Sequence, residues 1–247
     1  MERRFFADPA RISGPELTLS GPDANHIRNV LRLKPGDRIR LFDGTGAEYA
    51  ADIAAFDPDG VRVAVLGPVR TETESPAEIT IAQGFLKDKK MDGLVRQLTE
   101  LGITRWIPFM AVRSVARPDA KRLAARRQRW EKIVRESLKQ CRRSRVPEIT
   151  DTVSFEEMLR LAGPADLKLM FWEDQRMSPA FDLRALPARR YQRVFAVLGP
   201  EGGLSREEAD QAGAAGFLSA TLGPRILRAE TATIAACTLL QHCFGDM

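Results

Sequence analysis

The stretch 193-RVFAVLGPEGGLSREEAD-210 decides the fold. Val194 to Leu198 is a short apolar run, as expected of a strand buried on both faces. Gly199-Pro200 breaks it, Gly202-Gly203 extends the break, and Ser205-x-x-Glu208 opens a helix as a capping box. Strand, glycine-rich loop and helix in that order build parallel α/β sheets, whose ligands lie at the carboxyl ends of the strands.

The loop excludes two common ligands. It matches neither G-x-x-x-x-G-K-[ST] nor G-x-G-x-x-G, and Glu201 in its middle would repel a phosphate. Ser205 and Glu208 also occupy the helix-start amides that would otherwise attract an anion. What remains is a backbone cradle for a flat molecule, neutral or cationic.

A second break repeats the first: Leu198-Gly199-Pro200 ends one strand and Leu222-Gly223-Pro224 the next. The two are expected at neighbouring strand tips, lining one crevice. After the second, "RILRAETATIAA" (225–236) puts Arg228 and Glu230 at the start of an alanine- and threonine-rich helix.

Working outward, strands alternate with helices. "EITIAQGF" (78–85), "RWIPFMA" (105–111), "LKLMFW" (167–172) and "GFLSATLG" (216–223) read as strands. Met91, Leu94, Val95, Leu98 and Leu101 share a helix face, with Gly102 as its stop. "VRTETESPAE" (69–78) has no apolar periodicity and marks a domain boundary, giving domains 1–71 and 72–247. Before it, residues 37–67 alternate apolar and polar around Asp43-Gly44 and Asp59-Gly60, as short antiparallel strands of a small barrel. One or two helical turns precede them, with Ile27, Val30 and Leu31 on one face.

The chain has 247 residues and a net charge of +5, but residues 121–145 alone hold eleven Lys or Arg against two Glu. That concentration points to a polyanion, although charge runs are often only solvated faces. Trp130, Ile133, Val134, Leu138 and Cys141 share one face of this helix, and Arg127, Arg135, Lys139 and Arg142 another. The three cysteines show no metal spacing and read as reduced thiols, so no metal is expected. Apolar runs are too short to span a membrane, and "MERRFFADPARISGPE" lacks the core of a secretion signal, so a cytoplasmic location is expected.

"LGPEGGLS" followed by "LGPRILRAETA" resembles the SPOUT methyltransferases. In particular it resembles the bacterial family that methylates N3 of a uridine in 16S (small-subunit) ribosomal RNA. "RRFF", "NHIRNVLRLKPGD" (25–37), "KDKKMD" (87–92), "ELGI" (100–103) and "RVPEI" (145–149) stand in the same order. The resemblance implies a C-terminal α/β domain with a mostly parallel sheet and a deep trefoil knot, a small N-terminal PUA-like RNA-binding β-barrel, and a homodimer. It implies S-adenosyl-L-methionine as cofactor and S-adenosyl-L-homocysteine as product. The cofactor would be held by Phe171, Trp172, Glu173, Leu198, Gly199, Glu201, Gly202, Leu222, Gly223, Ile226 and Leu227. The RNA, naked or in an assembled 30S subunit, would meet Arg3, Arg4, His26, Arg28, Arg32, Arg135, Lys139, Gln140, Arg142 and Arg145.

Uridine N3 must lose a proton when it is methylated, so a base or an electrostatic aid is needed. Arg228 is the candidate to stabilise the uridine anion, and Glu230 to orient the base or take the proton; a mere loop or dimer salt bridge is the alternative for Arg228. A reactive Cys141 would instead point to methylation at pyrimidine C5, which requires a covalent adduct. The rival readings are a ribose 2′-O-methyltransferase and a non-catalytic RNA-binding assembly factor.

Overall fold

The computed structural model describes residues 3–12, 14–172 and 191–247. The chain divides into two compact units, Met1–Glu74 with Leu138–Val146, and Ser75–Ser137 with Pro147–Met247. A cut after residue 71 therefore leaves residues 138–146 out of the first unit.

The first unit contains strands β1 (Arg3–Phe6) and β2 (Glu16–Leu19), helix α1 (Gly21–Asn25), and strands β3 (Arg38–Phe42), β4 (Glu48–Asp57) and β5 (Gly60–Val69). They form one sheet in the order β1-β3-β4-β5-β2. β3, β4 and β5 pair antiparallel, as residues 37–67 were expected to, whereas β1, outside that stretch, runs parallel to β3. A tight turn forces neighbours antiparallel, and more than thirty residues separate β1 from β3, so no turn fixes their relative direction. Alternate residues Ile39, Leu41, Ile53, Val61 and Val63 fill the interior.

The helical turns before β3 also differ from expectation. After α1 the backbone takes a π-helical turn, His26–Val30, which buries Ile27 but leaves Val30 62% exposed. A wider turn rotates successive residues away from an α-helical face.

Residues 138–146 complete this unit. The amide of Val146 donates to the Gly44 carbonyl at 2.9 Å. Gly44 adopts φ +84°, and a Cβ there would lie 2.9 Å from Cγ2 of Val146.

The second unit contains β6 (Glu78–Gly84), α2 (Lys90–Glu100), β7 (Arg105–Met110), α3 (Ala120–Cys141), β8 (Glu148–Ile149), β9 (Val153–Ser154), α4 (Phe155–Leu161), β10 (Leu167–Phe171), β11 (Arg193–Leu198), α5 (Arg206–Ala214), β12 (Leu218–Ala220) and α6 (Ala229–Phe244). The last four residues of α3 group with the first unit. The sheet order is β12-β10-β11-β6-β7-β8, with β9 also beside β7, and every pairing is parallel. Val194 to Leu198 are all buried, as covered faces on both sides of the sheet require. Trp130 of α3 packs edge-on to Trp106 at 4.8 Å and donates its indole N–H to Asp92 at 2.9 Å. Ser205 and Glu208 form both bonds of the expected capping box at the start of α5. No described helix is long and apolar enough to cross a membrane.

Candidate active site

The two Gly-Pro breaks do meet, but their strands are not neighbours. β12 pairs with β10 and β10 with β11, so the chain crosses from one side of β10 to the other between β11 and β12. Such a reversal of strand order opens a crevice beyond the carboxyl ends of the strands. The end of β10 consequently stands between the two breaks, bringing Phe171 and Trp172 into the same place.

A cavity of about 1080 Å³ occupies it, wholly within the second unit. Leu198, Gly199 and Glu201 line it from the first loop, Leu222, Gly223, Ile226 and Leu227 from the second, together with Phe171, Trp172, Arg228 and Glu230. Gly223 adopts φ +99° with no atom within 4 Å of a built Cβ, so it needs glycine for its conformation, not for space. Glu173 lies outside the described residues. Gly202 does not line the cavity; its carbonyl accepts from Arg113 at 3.3 Å, and a Cβ there would lie 3.0 Å from the Cβ of Arg113. Gly203, at φ +68°, lines the cavity instead.

Lys90, at the first position of α2, also lines the cavity and was not singled out from the sequence. Its ammonium lies 3.2 Å from Glu201 Oε1 and 3.2 Å from each carboxylate oxygen of Glu230. It therefore bridges the first loop to the first turn of α6. Glu201 also accepts from the backbone amide of Lys87 at 3.3 Å. Burial opposes the charge on Lys90, but its hydrogen bonds to Glu230 and Glu201 outweigh that and hold the ammonium above its ordinary value. Burial likewise works against the Glu230 carboxylate, and its own backbone amide, Lys90 and Arg228 together keep it below the usual range. Glu230 is thus a charged partner already engaged by Lys90. The signal was present in "KDKKMD", a charged run leaving the carboxyl end of a buried strand.

Below the cavity, Gln83 and Gly84 end β6. A Cβ on Gly84 would come within 2.5 Å of both the nitrogen and Cδ of Pro200, so glycine is what lets the loop lie against the strand.

The residues proposed from sequence to meet RNA divide into two groups. Arg3, His26, Arg32, Gln140, Arg142 and Arg145 are exposed in the first unit, and Arg135 is exposed in the second. Arg4 is a correction: its side chain is 7% exposed, pairs with the buried Glu48, and donates to the carbonyls of Leu138 (3.0 Å) and Arg143 (3.1 Å). Sequence periodicity cannot distinguish a buried arginine from an exposed one when its partners lie over forty residues away. Arg28 is also engaged internally, donating to the carbonyls of Asp57 and Gly60 and lying over the Phe56 ring. Lys139 pairs with Asp23 at 2.7 Å. Cys141 is partly buried. Among the described residues, no cluster of three or more His, Cys, Asp or Glu could hold a metal ion.

Residues 73–241 match the RNA methyltransferase domain family, and residues 19–66 the RNA methyltransferase PUA domain family. A parallel sheet with a crevice at its strand ends and a PUA module before it is the build of an RNA methyltransferase. The chain is 32% identical over 246 residues to ribosomal RNA small subunit methyltransferase E of Bacillus subtilis, covering 97% of this chain and 96% of that one. It superposes with a TM-score of 0.89 at 31% identity on ribosomal RNA small subunit methyltransferase E of Neisseria gonorrhoeae, solved bound to S-adenosyl methionine, with 100% of both chains covered. A protein of Legionella pneumophila, solved with the cofactor SAM bound, gives 0.88 at 30% identity over 100% of both chains. The chain belongs to the ribosomal RNA small subunit methyltransferase E family.

Proposed function

We propose that this chain methylates N3 of a uridine in 16S ribosomal RNA, with S-adenosylmethionine as the methyl donor. One observation carries the reading: three strand ends close a single cavity in a chain that matches, end to end, a relative solved with that cofactor. The residues fit the group. About 1080 Å³ accommodates a bent nucleoside with its amino-acid tail. The cavity offers backbone groups from two Gly-Pro loops and apolar side chains, while the amides at the start of α5 are occupied by the capping box.

When bound, S-adenosylmethionine supplies a methyl group from its sulfonium, and S-adenosylhomocysteine is left. The protein's task is alignment, because an in-line displacement gains most from fixed geometry. Phe171, Trp172, Leu198, Gly199, Glu201, Leu222, Gly223, Ile226 and Leu227 are the proposed cofactor contacts; Gly203 replaces Gly202. Arg228 stabilises the negative charge that uridine carries once N3 loses its proton. Glu230, its carboxylate held beside Lys90, orients the base or takes the N3 proton.

The exposed Arg3, His26, Arg32, Arg135, Gln140, Arg142 and Arg145 are the proposed RNA contacts. The family likeness also supports a barrel-like first domain, a knotted C-terminal segment and a homodimer acting on the 30S subunit in the cytoplasm. The deciding experiment maps methylated nucleosides by nuclease digestion and mass spectrometry in 16S RNA from cells with and without the gene. Loss of one N3-methyluridine is expected. A missing ribose methyl would turn the assignment to 2′-O chemistry, and no change would leave an RNA-binding factor.

A further inference from the structure

Gln83 and Thr233 form a hydrogen-bonded pair with no exposed surface, and neither lines the cavity. Gln83 stands one residue before the end of β6, opposite Leu198 in the register with β11. Its Nε2 donates to the carbonyls of Gly84 and Gly199, each at 3.0 Å. Its Oε1 accepts from the Thr233 hydroxyl at 2.5 Å. The same hydroxyl oxygen lies 2.8 Å from the Ala229 carbonyl, one turn back in α6.

The amide has one workable orientation. Two carbonyls face its nitrogen, and turning the group over would aim Oε1 at both of them. Thr233 then has a single hydrogen for two acceptors, Gln83 Oε1 and the Ala229 carbonyl. Its hydroxyl is therefore shared between the strand end that holds the first loop and the first turn of α6. A buried amide is costly unless its hydrogen bonds are made, and apolar side chains of equal size would fill the space without that demand. What the polar pair adds is direction: it sets where the Gly199 carbonyl stands relative to α6.

We propose that Gln83 and Thr233 are positioning residues for the cofactor cavity, coupling the first glycine loop to the helix start that carries Glu230. This rests on the cofactor reading above.

The test compares Gln83→Met and Thr233→Val, which keep volume and remove the bonds, with Thr233→Ser, which keeps the hydroxyl. Binding of S-adenosylmethionine is measured by calorimetry, with near-ultraviolet circular dichroism to establish that each variant is folded. Gln83→Met is expected to weaken binding about tenfold and Thr233→Val about fivefold, while Thr233→Ser stays within about twofold of the unsubstituted protein. The double variant Gln83→Met/Thr233→Val is expected to bind about as well as Gln83→Met alone, because both remove one network. Should Gln83→Met not fold, the valine–serine contrast at Thr233 decides alone. A folded Thr233→Val protein that binds as tightly as the unsubstituted one, or a Thr233→Ser protein as weak as Thr233→Val, overturns the positioning role. An unsubstituted protein with no saturable binding overturns the cofactor reading itself, and the positioning role with it.

Discussion

Lys90 holds two carboxylates with one ammonium, and neither carboxylate belongs to its own helix. Replacing it by methionine keeps an unbranched side chain, one atom shorter and uncharged, but leaves Glu201 and Glu230 without their shared cation. Lys90→Met is expected to weaken cofactor binding about tenfold, measured by calorimetry, with Lys90→Arg closer to the unsubstituted protein. The sign of the pH response follows from the two shifts. Glu230 is held low, so its contribution is present above the ordinary carboxylate range and is lost as acid takes the pH down through the depressed value. Lys90 is held high, so its contribution is present below the ordinary lysine value of 10.5 and is lost only as the pH rises past the raised one. Between about pH 6 and about pH 9 neither group titrates, and cofactor affinity should be flat there apart from other groups. An affinity that rises or falls steeply through neutrality would show that some other group controls the site. Arg228→Ala should lower turnover about a hundredfold with cofactor affinity little changed, since its charge acts on the uridine as the proton leaves. An unchanged rate on RNA would remove Arg228 from the chemistry.

Between residues and the whole lie the contacts of one element with the next, and β6 lies close against the loop after β11. Gly84→Ala would put a methyl group into the backbone of Pro200. The expected result is a loss of about 1–3 kcal/mol in denaturant unfolding together with weaker cofactor binding. A neutral outcome would mean that the loop can step back without cost. This level is also where the sequence was least informative. The strands at 78–84, 105–110, 167–171 and 193–198 were legible because buried parallel strands are continuous apolar runs. The pairing of β12 with β10 was not, since both tips carry the same tripeptide and nothing local says which strand lies between them. Phe171 and Trp172 entered the expected site only through the family resemblance; the pairing of β12 with β10 is what puts them between the two loops. Gln83 was visible as a polar residue inside "EITIAQGF", but its three partners sit in segments about 120 to 150 residues away or beside it in the chain. α4 went unread because a seven-residue helix carries too few turns for periodicity to register.

At the scale of the whole molecule, two kinds of arginine must be told apart. Arg142 and Arg145 are exposed, as is Arg3, and phosphate contacts from such residues act through counterion release. Replacing all three by alanine should weaken RNA binding for every sequence alike and flatten its salt dependence by roughly 0.7–0.9 for each phosphate no longer neutralised. Cofactor affinity should not move. Arg4 is expected to behave in the opposite way. Its pairing with Glu48 is buried, so Arg4→Met leaves that carboxylate to Ser144 and to Arg40 at 3.5 Å and should lower stability by about 3 kcal/mol in urea unfolding. An Arg4→Met protein of full stability with a shallower salt slope would return that residue to the RNA surface.

The hydrogen bonds of Arg4 also set a timetable for synthesis. A nascent chain that has emerged only to residue 74 already carries Arg4 and Glu48, yet it lacks the carbonyls of Leu138 and Arg143 and the hydroxyl of Ser144 that receive the guanidinium. The amino-terminal unit, though translated first, must wait for residue 144 before its buried charge is fully satisfied, by which time α2, β7 and α3 have also left the ribosome.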